Sequence, residues 1–255
     1  MIIARSNPWL VCPRPNPQAI FRLFCFSHAG GSAMAYRAWA EKFPPSIEVV
    51  SIQLPGREDR IHEPLFTQME PLVRAVAQAL LSSLTKPFAF FGHSMGAVIA
   101  FELARYLRRL GEPAPMLLFV SGHPAPQIPN TQSITYNLPE PEFIEEVKRL
   151  NGTPKEAFDY PELIQLMIPL LRADFEICQT YAYTEEAPLD CPISAFGGYE
   201  DQYVSRESLD AWKTQTTSSF IARMLPGDHF FLHTSKIYLL QKIAHDIHRL
   251  IGLGV

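Results

Sequence analysis

The chain lacks most of the features that mark secreted, membrane-spanning or nucleic-acid-coating proteins. Its 255 residues include only four cysteines, Cys12, Cys25, Cys178 and Cys191, with no C-x-x-C pair and no metal-ligand spacing. So sparse a scatter supports neither a disulfide framework nor a zinc site, and no metal or bound cofactor is expected. Cys25 and Cys191 fall in apolar runs, where cysteine acts as a small core residue. No apolar run approaches the roughly 18 residues that span a bilayer. Arg5, Asn7 and Pro8 interrupt any signal-peptide core near the start. The cytoplasm is the expected compartment, with no membrane partner. A net charge of only −4 is too small for a surface that coats nucleic acid. Internal repeats and low-complexity tracts are absent, and a hydrophobic content of 47% argues against disorder.

What is present is an alternation of short apolar runs with helical patterns. Strands are expected at Ile20–Phe26, Ile47–Leu54, Phe88–Phe91, Met116–Ser121, Cys191–Phe196 and Phe220–Leu225. Their polarity is continuous rather than alternating, as suits parallel strands covered on both faces. Helices are expected near Tyr36–Phe43, Met69–Leu84, Ala97–Leu110, Glu207–Thr214 and Lys236–Ile251. The pattern predicts one α/β domain over residues 1–255 with a mostly parallel, doubly wound sheet. Functional groups in such sheets gather at the carboxyl ends of the strands.

The interval from His123 to Asp190 breaks the alternation. A proline-rich exit (Pro124, Pro126, Pro129) leads into helical pieces near Glu140–Leu150 and from Pro161 to about Tyr181. The second carries Leu163, Ile164, Leu166, Met167, Ile168, Leu170 and Leu171, an apolar arc too wide for one buried face. We expect a helical lid inserted at about 124–189, with one face on the sheet and another lining an apolar channel. A helix buried on all sides would give the same arc.

The most informative segment is Phe88-Ala89-Phe90-Phe91-Gly92-His93-Ser94-Met95-Gly96-Ala97. It is a buried-type strand that turns at G-x-S-x-G into a helix, the arrangement of a nucleophile elbow. The sharp reversal forces Ser94 into a strained backbone conformation, and the flanking glycines leave room for it. The hydroxyl is thereby lifted out of the sheet edge, facing the amides of the helix N-terminus.

A serine nucleophile needs a base and an orienting acid, which in this type of sheet follow in the order Ser, acid, His. His229 lies just past the last strand in a Pro-Gly turn and is the expected base, ahead of His233. His123 precedes every plausible acid, and His245 and His248 belong to the closing helix. Asp201 follows the strand at Cys191–Phe196 and is the expected acid, with neighbouring Glu200 as the alternative. Asp190 precedes that strand, and Asp228 is covalently next to His229. For the oxyanion, the loop Ser27-His28-Ala29-Gly30-Gly31-Ser32-Ala33 offers the amide of Ala29 to complement that of Met95. That loop has neither a Lys-Ser/Thr ending nor G-x-G-x-x-G, which argues against nucleotide binding.

The segments His28-Ala29-Gly30-Gly31-Ser32, Leu54-Pro55-Gly56-Arg57-Glu58, Gly92-His93-Ser94-Met95-Gly96 and Gly227-Asp228-His229-Phe230-Phe231 resemble the type II thioesterases. These are the stand-alone editing enzymes of nonribosomal peptide and polyketide synthetases. The resemblance extends to Leu171-Arg172-Ala173-Asp174-Phe175 in the lid and Gly198-x-x-Asp201-x-x-Val204 at the acid. It implies an α/β-hydrolase fold and hydrolysis of acyl thioesters on carrier domains, with the phosphopantetheine arriving on the substrate. Two departures are visible: Ser27 where the family commonly has Pro, and Asp228 where it commonly has Gly. A carboxylate at 228 is expected to favour the charged form of His229. Other readings are a medium-chain acyl-ACP or acyl-CoA thioesterase, a carboxylesterase or lipase, or a ligand-binding receptor on the same fold. A monomer is expected, docking an acidic carrier domain through rim cations: Arg57, Arg60, Lys148 and Arg149.

Overall fold

The computed structural model describes residues 7–131, 133–152 and 155–252. Residues 1–6, part of the stretch in which no signal peptide is expected, lie outside the described residues. Among the described residues the sheet has seven strands: β1 (Leu10–Val11), β2 (Phe21–Phe26), β3 (Ile47–Ile52), β4 (Phe88–His93), β5 (Leu117–Ser121), β6 (Ile193–Gly198) and β7 (Phe220–Leu225). They lie in the order β1-β3-β2-β4-β5-β6-β7, parallel except for β1, which pairs antiparallel with β3. This is the α/β-hydrolase arrangement, and six of the seven strands fall where the apolar runs place them. β1 went unpredicted because two residues on a sheet edge carry no periodicity.

Helices cover both faces. Helix α1 (Met69–Leu80) and α2 (Met95–Leu110) cover one; the 3₁₀ segment Ala33–Glu41 and α7 (Lys236–Leu250) cover the other. The alternation of side chains along each strand divides the core between them. Phe24, Phe88 and Phe90 join the α1–α2 side, whereas Phe21, Leu23, Ala89 and Phe91 join Tyr36, Trp39, Leu239 and Ile243 on the other. The expected helices at Tyr36–Phe43 and Glu207–Thr214 are less regular than their patterns suggest. The first is 3₁₀, and the second is a short helix α5 (Arg206–Asp210) continued as 3₁₀ over Ala211–Gln215.

Between β5 and β6 stand the lid helices α3 (Glu140–Leu150) and α4 (Pro161–Thr180), joined by a 3₁₀ turn at Lys155–Asp159. With that turn they form a small core of their own from Phe143, Val147, Ala157, Ile164, Ile168, Leu171 and Phe175. The wide apolar arc of α4 is explained by three surroundings. Ile164 and Ile168 face that core, Phe175 and Cys178 face a cavity, and Leu163 and Leu166 are exposed. A short helix α6 (Phe231–Thr234) precedes α7.

Candidate active site

The site lies where the strand order reverses. β2 pairs with both β3 and β4, so the loops leaving β2 and β4 emerge side by side at the carboxyl edge. β4 ends at His93 and α2 begins at Met95, which leaves Ser94 alone to make the turn, with φ 53° and ψ −119°. That conformation costs a non-glycine residue on the order of 1–3 kcal/mol. It is held by Ser94 N–H to the Ser121 carbonyl at 2.8 Å and by Ala97 N–H to the Ser94 carbonyl at 2.9 Å. A Cβ at position 92 would overlap the Gly96 carbonyl, and one at 96 would overlap that of Phe26. Both glycines are therefore required by close backbone approach, as expected.

Three side chains predicted from chain order come together here. His229 Nε2 lies 3.1 Å from Ser94 Oγ, and His229 Nδ1 lies 2.9 Å from Asp201 Oδ2. The Asp201 side chain is fully buried, and its other oxygen accepts Tyr203 N–H at 2.8 Å. The structure discriminates between the two acids: Glu200 is exposed and contributes its amide to the Gly227 carbonyl. His233 is exposed and stacks on Phe230 instead of reaching Ser94. A Cβ on Gly198 would overlap the backbone of Gly227 and Asp228, so the acid and histidine loops meet only because residue 198 is glycine. The Asp228 carboxylate is turned to Phe230 N–H (2.8 Å) and to Asn151 Nδ2 of the lid (3.2 Å). It thus ties loop to lid, a role that its place beside His229 in the sequence did not suggest.

Three further histidines line or underlie this cluster. His93 is fully buried, with Nδ1 2.9 Å from Ser121 Oγ and its ring 5.3 Å from that of His229. Burial pushes its pKa well below the usual histidine value. Burial also lowers His28 to about 3 and His123 to about 4. All three stay neutral in the working range, so the floor of the site carries no positive charge from them. Among the described residues no group of three or more His, Cys, Asp or Glu side chains is arranged to hold a metal ion.

The loop after β2 forms a turn closed by Gly31 N–H to the His28 carbonyl at 2.9 Å, with Gly30 at φ 76°. Ala29 and Met95 border the same cavity as Ser94 and His229. As the first residue of α2, Met95 has an amide with no partner inside the helix, free to face an anion. The cavity measures about 660 Å³ and runs under the lid past Ile128, Leu171, Phe175 and Tyr203.

The expected set of rim cations needs correction. Arg57 and Arg60 are buried, at 5% and 4% exposure. Arg57 is enclosed by Asp174, the Gly31 carbonyl and the Pro55 carbonyl. Arg60 lies over the Trp9 ring, pairs with Glu63 and donates to the Gln53 carbonyl. A guanidinium with that many acceptors is a structural clamp rather than a docking charge. Lys148 and Arg149 are exposed, but each pairs with a glutamate of its own helix, Glu145 and Glu146 respectively. Sequence reasoning placed Asp174 only within a signature. Its role was hidden because its partner lies 117 positions away.

Comparison with known proteins agrees with this geometry. A family model described as thioesterase domain matches residues 21–251. The gramicidin S biosynthesis protein GrsT of Aneurinibacillus migulanus is 46% identical over 96% of this chain and 96% of its own length. Linear gramicidin dehydrogenase LgrE of Brevibacillus parabrevis is also 46% identical, over 94% and 92%. Among solved structures, the type II thioesterase BorB of the borrelidin cluster superposes with a TM-score of 0.86 at 35% identity, covering 94% of this chain and 98% of that one. With a family model matched over residues 21–251 and 46% identity to relatives along nearly their whole length, the chain belongs to the thioesterase family.

Proposed function

We propose that this thioesterase clears aberrant acyl groups from the phosphopantetheinyl arms of carrier domains in a nonribosomal peptide or polyketide synthetase, through an acyl-serine intermediate. The observation that carries the reading is the continuous contact from Asp201 through His229 to Ser94, opening on a roofed cavity of about 660 Å³. The pathways of the relatives GrsT and BorB point to the synthetase setting. The dehydrogenase in the name of LgrE is not adopted, because this sequence contains no G-x-G-x-x-G run to seat a dinucleotide.

In this reading His229 Nε2 takes the Ser94 proton as Oγ attacks the thioester carbonyl. The amides of Met95 and Ala29 hold the oxyanion, and Asp201 fixes the tautomer of His229 and stabilises its charged form. The tetrahedral adduct collapses with cleavage of the C–S bond, and the pantetheine sulfur departs as the thiol with the proton from His229. Water then attacks the acyl-serine, giving its proton to His229, which returns it to Ser94 Oγ as the carboxylic acid leaves. The chemistry invokes no bound cofactor or metal, since phosphopantetheine comes with the substrate.

The deciding experiment compares kcat/KM on one acyl group presented as acyl-carrier protein, acyl-CoA and an oxygen ester. The carrier-bound thioester should be turned over fastest. Preference for the oxygen ester would overturn the reading in favour of a carboxylesterase. The same comparison repeated over a series of acyl chain lengths tests the other branch: a preference confined to medium-length chains would favour the medium-chain reading, to which the rat enzyme at 34% identity belongs.

A further inference from the structure

The lid helix does more than roof the cavity. Asp174, on α4, is 2% exposed, and its Oδ2 accepts Gly30 N–H at 2.6 Å while also receiving Arg57 Nη2. Arg57 in turn donates Nε to the Gly31 carbonyl at 2.7 Å and Nη1 to the Pro55 carbonyl at 2.9 Å. Gln53 completes the enclosure, donating to the Arg57 carbonyl at 3.2 Å and accepting Ala33 N–H at 2.7 Å. One turn earlier on α4, Leu171 sits so close to Gly30 that a Cβ there would press into it. The peptide unit entering Gly30 is therefore held by a carboxylate and the unit leaving Gly31 by a guanidinium, both on buried side chains. Charge-assisted hydrogen bonds in such a place are short and strong.

We infer that Asp174 is a positioning residue for the oxyanion donor: by gripping the Gly30 amide it fixes the His28–Gly31 turn, and with it the direction of the Ala29 amide. This rests on the reading of Ser94 as nucleophile and Ala29 as donor. The turn has a single closing backbone bond of its own among the described residues, Gly31 N–H to His28. Glycine at its third position, at positive φ, keeps it conformationally permissive. Without the grip from α4, the Ala29 amide can swing off the line to the oxyanion. Losing an oxyanion donor outright costs about 10²–10³ in kcat, and misplacing a group by about 1 Å costs up to about 10². The seat of the lid helix and the competence of the oxyanion hole thus rise and fall together.

The test uses two double variants, because removing one partner of a buried ion pair strands the other, whereas removing both is tolerated. Asp174→Leu with Arg57→Met removes the ion pair and the acceptor for Gly30. Asp174→Asn with Arg57→Met removes the ion pair but keeps a side-chain oxygen to accept Gly30 N–H. Each is assayed for kcat and KM on octanoyl-N-acetylcysteamine. Each is also assayed for affinity toward the matching trifluoromethyl ketone, whose adduct with Ser94 places an oxyanion in the hole, and toward the unreactive octyl thioether. The leucine variant should lose about 10–100-fold in kcat and a similar factor in ketone affinity, with KM and thioether affinity within about threefold. The asparagine variant should recover most of that loss. Parallel losses toward ketone and thioether, or equal defects in both variants, would overturn the inference and leave the pair a structural clamp alone. Wild-type turnover of the thioester tests the underlying reading separately.

Discussion

The floor and the roof of the cavity are built by different rules. The floor is a mostly parallel sheet whose inner strands β3, β4, β5 and β6 are buried residue after residue. Phe24, Phe90 and Phe91 have no exposure, and their neighbours come from helices on both faces. The roof is two helices around a core of seven buried residues, and it leaves Leu163 and Leu166 on the outside. Among the described residues the roof touches the floor's loops at a few polar points, among them Asp174 on Gly30 and Arg57, Asn151 on Asp228, and Arg149 on the Tyr203 hydroxyl at 3.2 Å. The difference teaches that reactive groups are carried by the part that cannot yield, while the part that can yield reaches them through individual hydrogen bonds. Local opening therefore belongs to the roof.

The largest expected effect concerns the floor alone. Ser94→Ala should lower kcat by about 10⁴–10⁶ while far-UV circular dichroism and Tm stay near wild type, since the hydroxyl is directed at the cavity. Retention of more than about a tenth of kcat would show that the elbow is not the nucleophile. Next, Asp201→Asn should cost on the order of 10⁴ in kcat, whereas exposed Glu200→Gln should stay within about threefold. The opposite ranking in steady-state assays would move the acid to position 200.

Acid should lower the stability of the folded chain as a whole. His28 and His123 take up protons in the unfolded chain below about pH 6.5 but in the folded protein only near 3 and 4. The unfolded state then binds more protons, so stability falls as the pH drops through that window. The loss is about 1.4 kcal/mol per unit for each histidine, or about 2 kcal/mol apiece at pH 5. Urea unfolding at pH 7 and pH 5 measures this, and His123→Asn should show a visibly smaller pH loss. An unchanged loss would mean that His123 does not titrate as its burial implies.

A comparable effect should appear in the roof on its own. Phe143 is wholly buried between the Phe175 ring (5.4 Å) and the Arg172 guanidinium (4.3 Å). Phe143→Ala should cost about 3 kcal/mol, spent on local opening. Hydrogen exchange of α3 and α4 should speed up while β4 amides keep their protection. Uniform loss across both regions would show that roof and floor unfold as one unit.

The sequence made much of this visible, and the reasons are local. Continuous apolar runs revealed six strands because a strand covered on both faces needs no polar alternation. G-x-S-x-G revealed Ser94 because only glycines tolerate the approach of Gly92 to Gly96 and of Gly96 to Phe26. Asp201 and His229 followed from chain order, which fixes which strand end each loop leaves. Arg57 and Arg60 misled because a cation in a loop resembles a surface charge, and the acceptors that enclose Arg57 include Asp174 from a distant helix.

Composition, apolar pattern and motif spacing by themselves determined the α/β layering, the elbow and the candidate nucleophile, acid and base, since each depends on residues close in the chain or on strand order. The tertiary structure alone decided that Asp201 rather than Glu200 faces His229, that α4 divides its apolar arc among core, cavity and solvent, and that Asp174 meets Gly30 and Arg57. Those outcomes depend on which groups meet after the chain has closed on itself, where burial turns an ordinary pair of charges into a fixed point of the site.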